Sequence, residues 1–213
     1  MMFALSERAQ DFITRTQAFI QQEIEPIEKA FWDEVHQLNV DGDWTKWQWP
    51  AQLEQLKTKA KAAGLWNMFL PDTELGAGLS VQEYAHIAEL TGRSLLAPTV
   101  FNCNAPDSGN MEVLWRYGSD EQKRQWLQPL LAGEIRSVFC MTEPAVASSD
   151  ATNMQATAVV DGDEIVLNGR KWWSSGLGDP NAKVIIFMAY TPDPNKDRHH
   201  QHSMVLVPID TQG

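Results

Sequence analysis

Three stretches of this sequence gather side chains able to do chemistry. The first, "CMTEPAVASSD" at residues 140–150, follows the apolar run "SVF" and places Thr142, Glu143, Ser148, Ser149 and Asp150 where a strand should end. A strand that runs out at Thr142 and Glu143 and turns at Pro144 presents backbone amides and hydroxyls just past a sheet edge, a geometry that can hold a polar, anionic ligand. The same residues are ordinary turn formers, and Ser148, Ser149 and Asp150 can instead satisfy the loop's own backbone. The second stretch, "NGRKWWSSGLG" at 168–178, reads as a hairpin turn at Asn168-Gly169 between two strands, the later strand carrying adjacent tryptophans on opposite faces. One of the pair can enter the core while the other flanks a flat ligand; in a chain with nine tryptophans, both can equally be packing residues. The third, "KDRHHQHS" at 196–203, collects Lys196, Arg198 and three histidines. A metal needs three or four converging ligands, and adjacent histidines on a loop more often sit in solvent.

The elements that must carry these stretches fall into two blocks. From Ser6 to about His36, Phe12, Ile20, Ile24, Ile27, Phe31 and Val35 recur at near-helical spacing, which predicts a long amphipathic helix. Pro26 lies inside it, so a kink or local break is expected near Ile24, because proline donates no amide hydrogen and crowds the preceding turn. "VDGDWTKWQW" reads as a loop, and a second helix runs from Pro50 to Gly64. "SVQE" at 80–83 has the form of a capping box, opening a helix to about Thr91. Another helical pattern spans Asp107 to Tyr117, and Ser119 with Gln122 makes a second capping box. After Gly133 the segments are short, β-branched or alternating, and divided by Gly, Asp, Asn and Pro. Helices first and strands after is the segregated α+β arrangement, here a helical domain over 1–135 and a β domain over 136–213.

Composition narrows the function classes. The 213 residues can bury a real core in one or two domains. Acidic residues number 28 against 17 basic, a net charge of -11, with no long basic block, so nucleic acid is not an expected partner. The two cysteines, Cys103 and Cys140, fit neither a metal spacing nor a disulfide framework. The N-terminus "MMFALSERAQDFITRT" meets Ser6, Glu7 and Arg8 after a few apolar residues, too few for a signal-peptide core, and no apolar run reaches membrane-spanning length. A soluble, cytoplasmic protein is the expectation.

Taken together, "FCMTEP", a Ser/Asp pair and then "NGRKWWSSG" resemble the flavin-binding middle domain of the acyl-CoA dehydrogenases, where "TEP…GSD" and "NGxKxWIT(N/S)G" hold this order. The resemblance covers the chain: "GLWNMFLP", "GAGLSVQEYAHIAELTGRS" and "NMEVLWRYGSDEQKRQWLQPLLAGEIRS" look like the family's N-terminal helical domain. "FNCNAPDSGNMEVL", "EPAVASSDATN", "KWWSSG" and "RHHQHSMVLVP" resemble the branch that in animals is fused to a kinase-like domain and acts on longer-chain or 4-hydroxylated acyl-CoA. The common family form has four residues between the Pro and the Asp; this chain has five, Ala145 to Ser149, and no glycine, so its loop must follow a different path.

The resemblance implies a middle domain of antiparallel, barrel- or sandwich-like strands, incomplete here at its C-terminal end. It implies FAD as cofactor and oxidation of an acyl-CoA thioester to the trans-2-enoyl-CoA, a reaction of fatty-acid β-oxidation. Phe139, Met141, Thr142, Ser149, Trp173 and Ser175 are carried over as cofactor-binding residues. Met141 and Thr142 would meet the pyrimidine edge of the flavin. Trp173 would wall the ring from solvent, and Ser175 would bond near N5 or O4. Ser149 would meet a pyrophosphate or the pantetheine chain. Ser148, Ser149 and Arg198 are the substrate-side candidates, Arg198 for a CoA phosphate or an extra acyl substituent. Glu143 looks like a base beside a cofactor loop. The family comparison argues against it, because the catalytic Glu there sits in a C-terminal four-helix domain with no counterpart in these residues. No catalytic residue is therefore assigned, and the chain alone is expected to be inactive. Implied partners are an electron-transferring flavoprotein as acceptor and further copies of the same chain, in a homodimer or homotetramer. Rival readings are an acyl-CoA oxidase, a flavin monooxygenase of the same fold, or a non-catalytic binding module.

Overall fold

In the computed structural model, residues 4–212 are described; Met1 to Phe3, at the head of the stretch read as lacking a signal core, and Gly213 lie outside them. The chain divides after Gly133 into a helical unit and a β unit. Among the described residues no helix is long and apolar enough to cross a membrane.

The helical unit opens with α1 (Glu7–Phe19), whose first turn is capped by the Ser6 hydroxyl accepting from the Ala9 amide. The break expected near Ile24 takes the form of a π-helical turn, Ile20–Ile24, leading into α2 (Glu25–Leu38). Pro26 has no amide to give, and Glu25, just before it, reaches back five residues to the Ile20 carbonyl. Further on come α3 (Gln52–Ala62), α4 (Val81–Thr91), the short α5 (Ala97–Val100) and α6 (Asp107–Tyr117). Then α7 (Asp120–Gln122) passes through a second π turn, Lys123–Leu127, into α8 (Gln128–Ala132). Pro129 repeats the device: the amide of Gln128 reaches back to Lys123.

Apolar faces of α1 to α5 share one core, with Ile24, Phe31, Met68, Ile87 and Phe101 fully buried. The loop predicted over residues 40–49 returns Trp47 and Trp49 to that core, where Trp49 meets Phe31 and Trp32. The end of α8 is closed by side chains from elsewhere in the unit. Asn102 donates to the Leu130 carbonyl, Trp66 and Asn67 to that of Leu131, and Lys61 to that of Ala132. Asn67 and Asn102 both hold left-handed backbone, at φ 53° and 54°, and their amides bond to each other at 2.7 Å. Asparagine tolerates that conformation better than most residues, and here its side chain uses it to satisfy carbonyls that a helix end leaves open.

The β unit holds β1 (Arg136–Cys140), β2 (Thr157–Asp161), β3 (Glu164–Asn168), β4 (Ala182–Tyr190) and β5 (His202–Pro208). β4 is the spine: β1 runs parallel to it, β5 antiparallel, and β2 touches it at Tyr190. The sheet is thus mixed where the family resemblance had implied antiparallel strands. Parallel neighbours need a crossover, and residues 141–181, which contain the β2–β3 hairpin, provide it. The hairpin turn itself sits at Gly162-Asp163, between the paired Asp161 and Glu164, with Gly162 at φ 61°. The hairpin expected at Asn168-Gly169, and the strand after it, do not form. A Cβ on Gly169 would collide with the Ala156 Cβ, so the chain passes flush over the residue that leads into β2 and does not fold back.

Glu83 ties two helix starts together. Its Oε2 accepts from the amide and hydroxyl of Ser80, completing the capping box of α4, and its Oε1 accepts from the amide and hydroxyl of Ser6 at the head of α1. These bonds, the Ser6 hydroxyl first, hold the carboxyl at about 2, down from an ordinary 4.5. A depressed carboxyl stabilises the fold fully above its unfolded value and loses that contribution as pH falls through the folded one. Glu83→Gln is therefore expected to lower the urea midpoint at neutral pH and to make the decline in stability between pH ~4.5 and ~2 shallower. An unchanged midpoint and acid limb would remove Glu83 from this role.

Candidate functional site

The site begins where β1 ends. Cys140 is the last residue paired to β4, and Met141 and Thr142 then leave the sheet. Glu143 turns inward, its side chain 4% exposed, and Lys171 comes from the far side of the crossover to meet it, 6% exposed. The Lys171 ammonium donates to Glu143 Oε1 at 2.8 Å and to the Met141 carbonyl at 3.1 Å, and it lies over the Phe187 ring. Glu143 also accepts from the amides of Gln155 and Ala156, at 2.8 and 2.9 Å. Burial pushes the Glu143 carboxyl up, but the Lys171 bond and the two amides outweigh it, and the group sits below its ordinary value. A carboxylate held ionised with both oxygens occupied is a structural tie and a poor proton acceptor.

The loop that follows largely satisfies itself. Ser148 is buried, and its hydroxyl accepts from the Glu143 amide at 2.7 Å. Asp150 caps the short 3-10 turn Ala151–Asn153, accepting from the Thr152 amide and hydroxyl. These bonds, the Thr152 hydroxyl first, lower its carboxyl. Ser149 lies between them with its side chain in solvent. Arg198, on the turn Arg198–His200, donates to Thr152 Oγ1 at 2.6 Å and stands 4.0 Å from Asp150. It lines an open cleft of about 260 Å³ with Thr152, Met154, Tyr190, Gln201 and His202. His199 and His200 are turned about Asp197, which accepts from the His199 amide and pairs with His200 Nδ1. Among the described residues no group of three or more His, Cys, Asp or Glu could hold a metal.

Trp172 and Trp173 correct the strand expected after Gly169. They do not point to opposite faces: their rings stack at 4.7 Å between centroids with planes 27° apart. Neither is buried, at 50% and 72% exposed. Trp173 adopts φ 59°, the left-handed region that bulky residues avoid. Trp172 donates its amide to the Thr142 carbonyl at 2.8 Å, which fastens this segment to the end of β1. Ser175 opens a 3-10 turn, Ser175–Gly178, whose Gly176 lies against Ser137 and Val138 of β1. Phe139 sits half-buried on β1 opposite Ile186. Met141 and Thr142 thus leave the end of β1, where the Trp172 amide fastens the segment that carries Trp173, and the turn that Ser175 opens lies along β1 at Ser137 and Val138. Ser148 and Ser149 lie on the loop leaving the strand, and Arg198 at that loop's far end.

Lys171 and Trp172 are the residues that sequence reasoning left without a task. A lone lysine within an aromatic run, matched by a lone glutamate just past a strand, was the signal that could have found the pair. Removing one partner of a buried ion pair leaves the other charge uncompensated. Lys171→Met is thus expected to cost about 3–5 kcal/mol of stability in urea unfolding. Glu143→Gln added to it should recover part of that loss, because the stranded carboxylate is gone. A double variant that simply sums the two single losses would mean that the ion pair is not coupled.

The fold and the site have known counterparts. Residues 6–134 match the model of the acyl-CoA dehydrogenase N-terminal domain, and residues 138–213 that of the acyl-CoA dehydrogenase middle domain. Acyl-CoA dehydrogenase family member 11 of Mus musculus is 52% identical over 212 residues, which is 100% of this chain and 27% of that protein. Family member 10 of the same organism is 50% identical over 200 residues, 92% of this chain and 18% of that protein. The chain thus spans about a quarter or less of these two relatives. A solved structure from Mycobacterium abscessus, assigned as an acyl-CoA dehydrogenase, is 63% identical with a TM-score of 0.91, covering 99% of this chain and 52% of its own. The chain belongs to the acyl-CoA dehydrogenase family.

Proposed function

We propose that the chain supplies the helical and middle domains of an FAD-dependent enzyme that oxidises an acyl-CoA thioester to the trans-2-enoyl-CoA. The observation that carries this reading is the cluster at the end of β1. There Thr142 and Trp173 are both exposed, on segments fastened by the Trp172 amide to the Thr142 carbonyl and by the Lys171 ammonium to the Met141 carbonyl. Two exposed indoles beside an exposed hydroxyl-bearing strand end suit a flat ring with a polar rim, so the residues fit the cofactor. When bound, the flavin supplies the acceptor for the substrate's β-hydride.

Each residue has a definite task in this reading. Met141 and Thr142 offer donors to the pyrimidine edge, where negative charge grows on reduction. Trp173 covers the ring against water, and Ser175 donates beside it, with Phe139 under the strand end. Ser149 projects its hydroxyl toward the phosphate or pantetheine portion. Ser148, although it accepts from the Glu143 amide, keeps a proton to donate on the substrate side. Arg198 meets a CoA phosphate or a polar acyl substituent. The family resemblance implies that the carboxylate that takes the α-proton lies in a C-terminal helical domain; Glu143, bonded through both oxygens, and Asp150, which caps a turn, have other tasks. An electron-transferring flavoprotein is the proposed acceptor, and a homodimer or homotetramer the proposed assembly, working in the cytoplasm in fatty-acid β-oxidation.

The decisive experiment is an anaerobic titration of the full-length protein, reconstituted with FAD, with acyl-CoAs of several chain lengths while flavin absorbance is followed. Bleaching by a saturated acyl-CoA is expected; bound flavin that no acyl-CoA reduces overturns the reading, and rapid peroxide formation on admitting air marks an oxidase. Arg198→Ala is expected to raise KM for the acyl-CoA by about 3–10-fold with kcat little changed, the signature of lost uniform binding at an exposed charge. An unchanged KM would remove Arg198 from the substrate site.

A further inference from the structure

Trp172 has no task in the reading above, yet it is built into the same cluster. A left-handed step at Trp173 accompanies a stack in which two consecutive rings face each other; in an extended strand they would part to opposite faces. Such a conformation persists only where its surroundings over-determine it, and strained residues of this kind gather at ligand sites. Trp173 itself is 72% exposed, so packing into the core does not fix its ring. Its ring stacks on Trp172, and Trp172 is anchored by its amide bond to Thr142 and by its neighbour Lys171, buried against Glu143.

We infer that Trp172 is a positioning residue for the flavin site: it braces one face of Trp173, so that the opposite face is held ready for the planar ring of the cofactor. A free indole on an exposed segment would have to give up rotamer freedom each time the ring binds; a stacked one has already given it up. The inference rests on the flavin reading, and Trp172 acts entirely through Trp173, touching no cofactor itself. This predicts non-additivity, because removing the brace matters only while the residue it braces is present.

The test is a set of FAD titrations of the full-length apoprotein, read by flavin fluorescence, for wild type, Trp172→Leu, Trp172→Phe, Trp173→Leu and the double variant that combines Trp172→Leu with Trp173→Leu. Trp172→Leu is expected to weaken FAD binding by about 3–10-fold, the worth of an aromatic pair. Trp172→Phe keeps a stacking face and should stay within about twofold of wild type. The double variant should bind no worse than Trp173→Leu alone. FAD binding by Trp172→Leu equal to wild type, or losses that add in the double variant, overturns the inference while leaving the flavin reading intact. Wild-type protein that takes up no FAD overturns both.

Discussion

Everything at the β1 end of the β unit depends on an ion pair that is expensive to bury. Glu143 and Lys171 are 4% and 6% exposed, and bringing two charges out of water costs more than their attraction returns unless every remaining hydrogen-bonding position is filled. Here they are largely filled, by the Gln155 and Ala156 amides on one partner and the Met141 carbonyl on the other. The consequence is geometric. One carboxylate and one ammonium join the exit of β1, the start of β2 and the segment after β3, three pieces that no strand ladder connects at this point. The loop 144–153, which carries one residue more than the family pattern between the Pro and the Asp, is bounded on both sides by these anchored pieces.

The helical unit meets the same difficulty, unsatisfied backbone groups, with other means. A proline inside a long helical run breaks the ladder, and at both Pro26 and Pro129 the chain widens one turn so that the residue before the proline still finds a carbonyl. Glu83 serves two helix starts with one side chain. Three consecutive carbonyls at the end of α8 receive Asn102, Trp66 with Asn67, and Lys61. In each place a polar group that would otherwise weigh against a compact core fixes how one helix lies on another.

What could be read in the sequence follows from how far apart the deciding residues are. Capping boxes and the break at Pro26 are local in sequence, and each appears where the residues imply. The parallel pairing of β1 with β4 is not local, and no periodicity reports it. Asn168-Gly169 is an instructive miss. The dipeptide favours a hairpin, but Lys171, two residues on, is drawn to Glu143, and Gly169 is needed for its closeness to Ala156. A hairpin there would strand the buried Glu143 carboxylate without its partner, a cost larger than a turn preference. Of the site, the opening stretch gave a mixed answer: Ser148 and Asp150 satisfy the loop, as turn residues do, while Thr142 and Ser149 stay exposed.

The tryptophan pair shows why a motif's residue types foretell less than its anchoring. Read as a strand, "KWW" puts one ring inside and one outside, and the inner ring would then be explained by packing alone. Anchored at Lys171 and Thr142, the same residues leave both rings at the surface, with one backbone angle in a region that costs energy for a side chain of that size. A folded chain gains little stability from two exposed stacked indoles beyond their mutual contact, and it gives up the burial that either could have had. In the proposed reading a planar ligand would cover these faces and find the aromatic surface already in place. The buried pair below and the exposed pair above are therefore two halves of one device: the charges hold the backbone so firmly that the aromatics need not be held by the core.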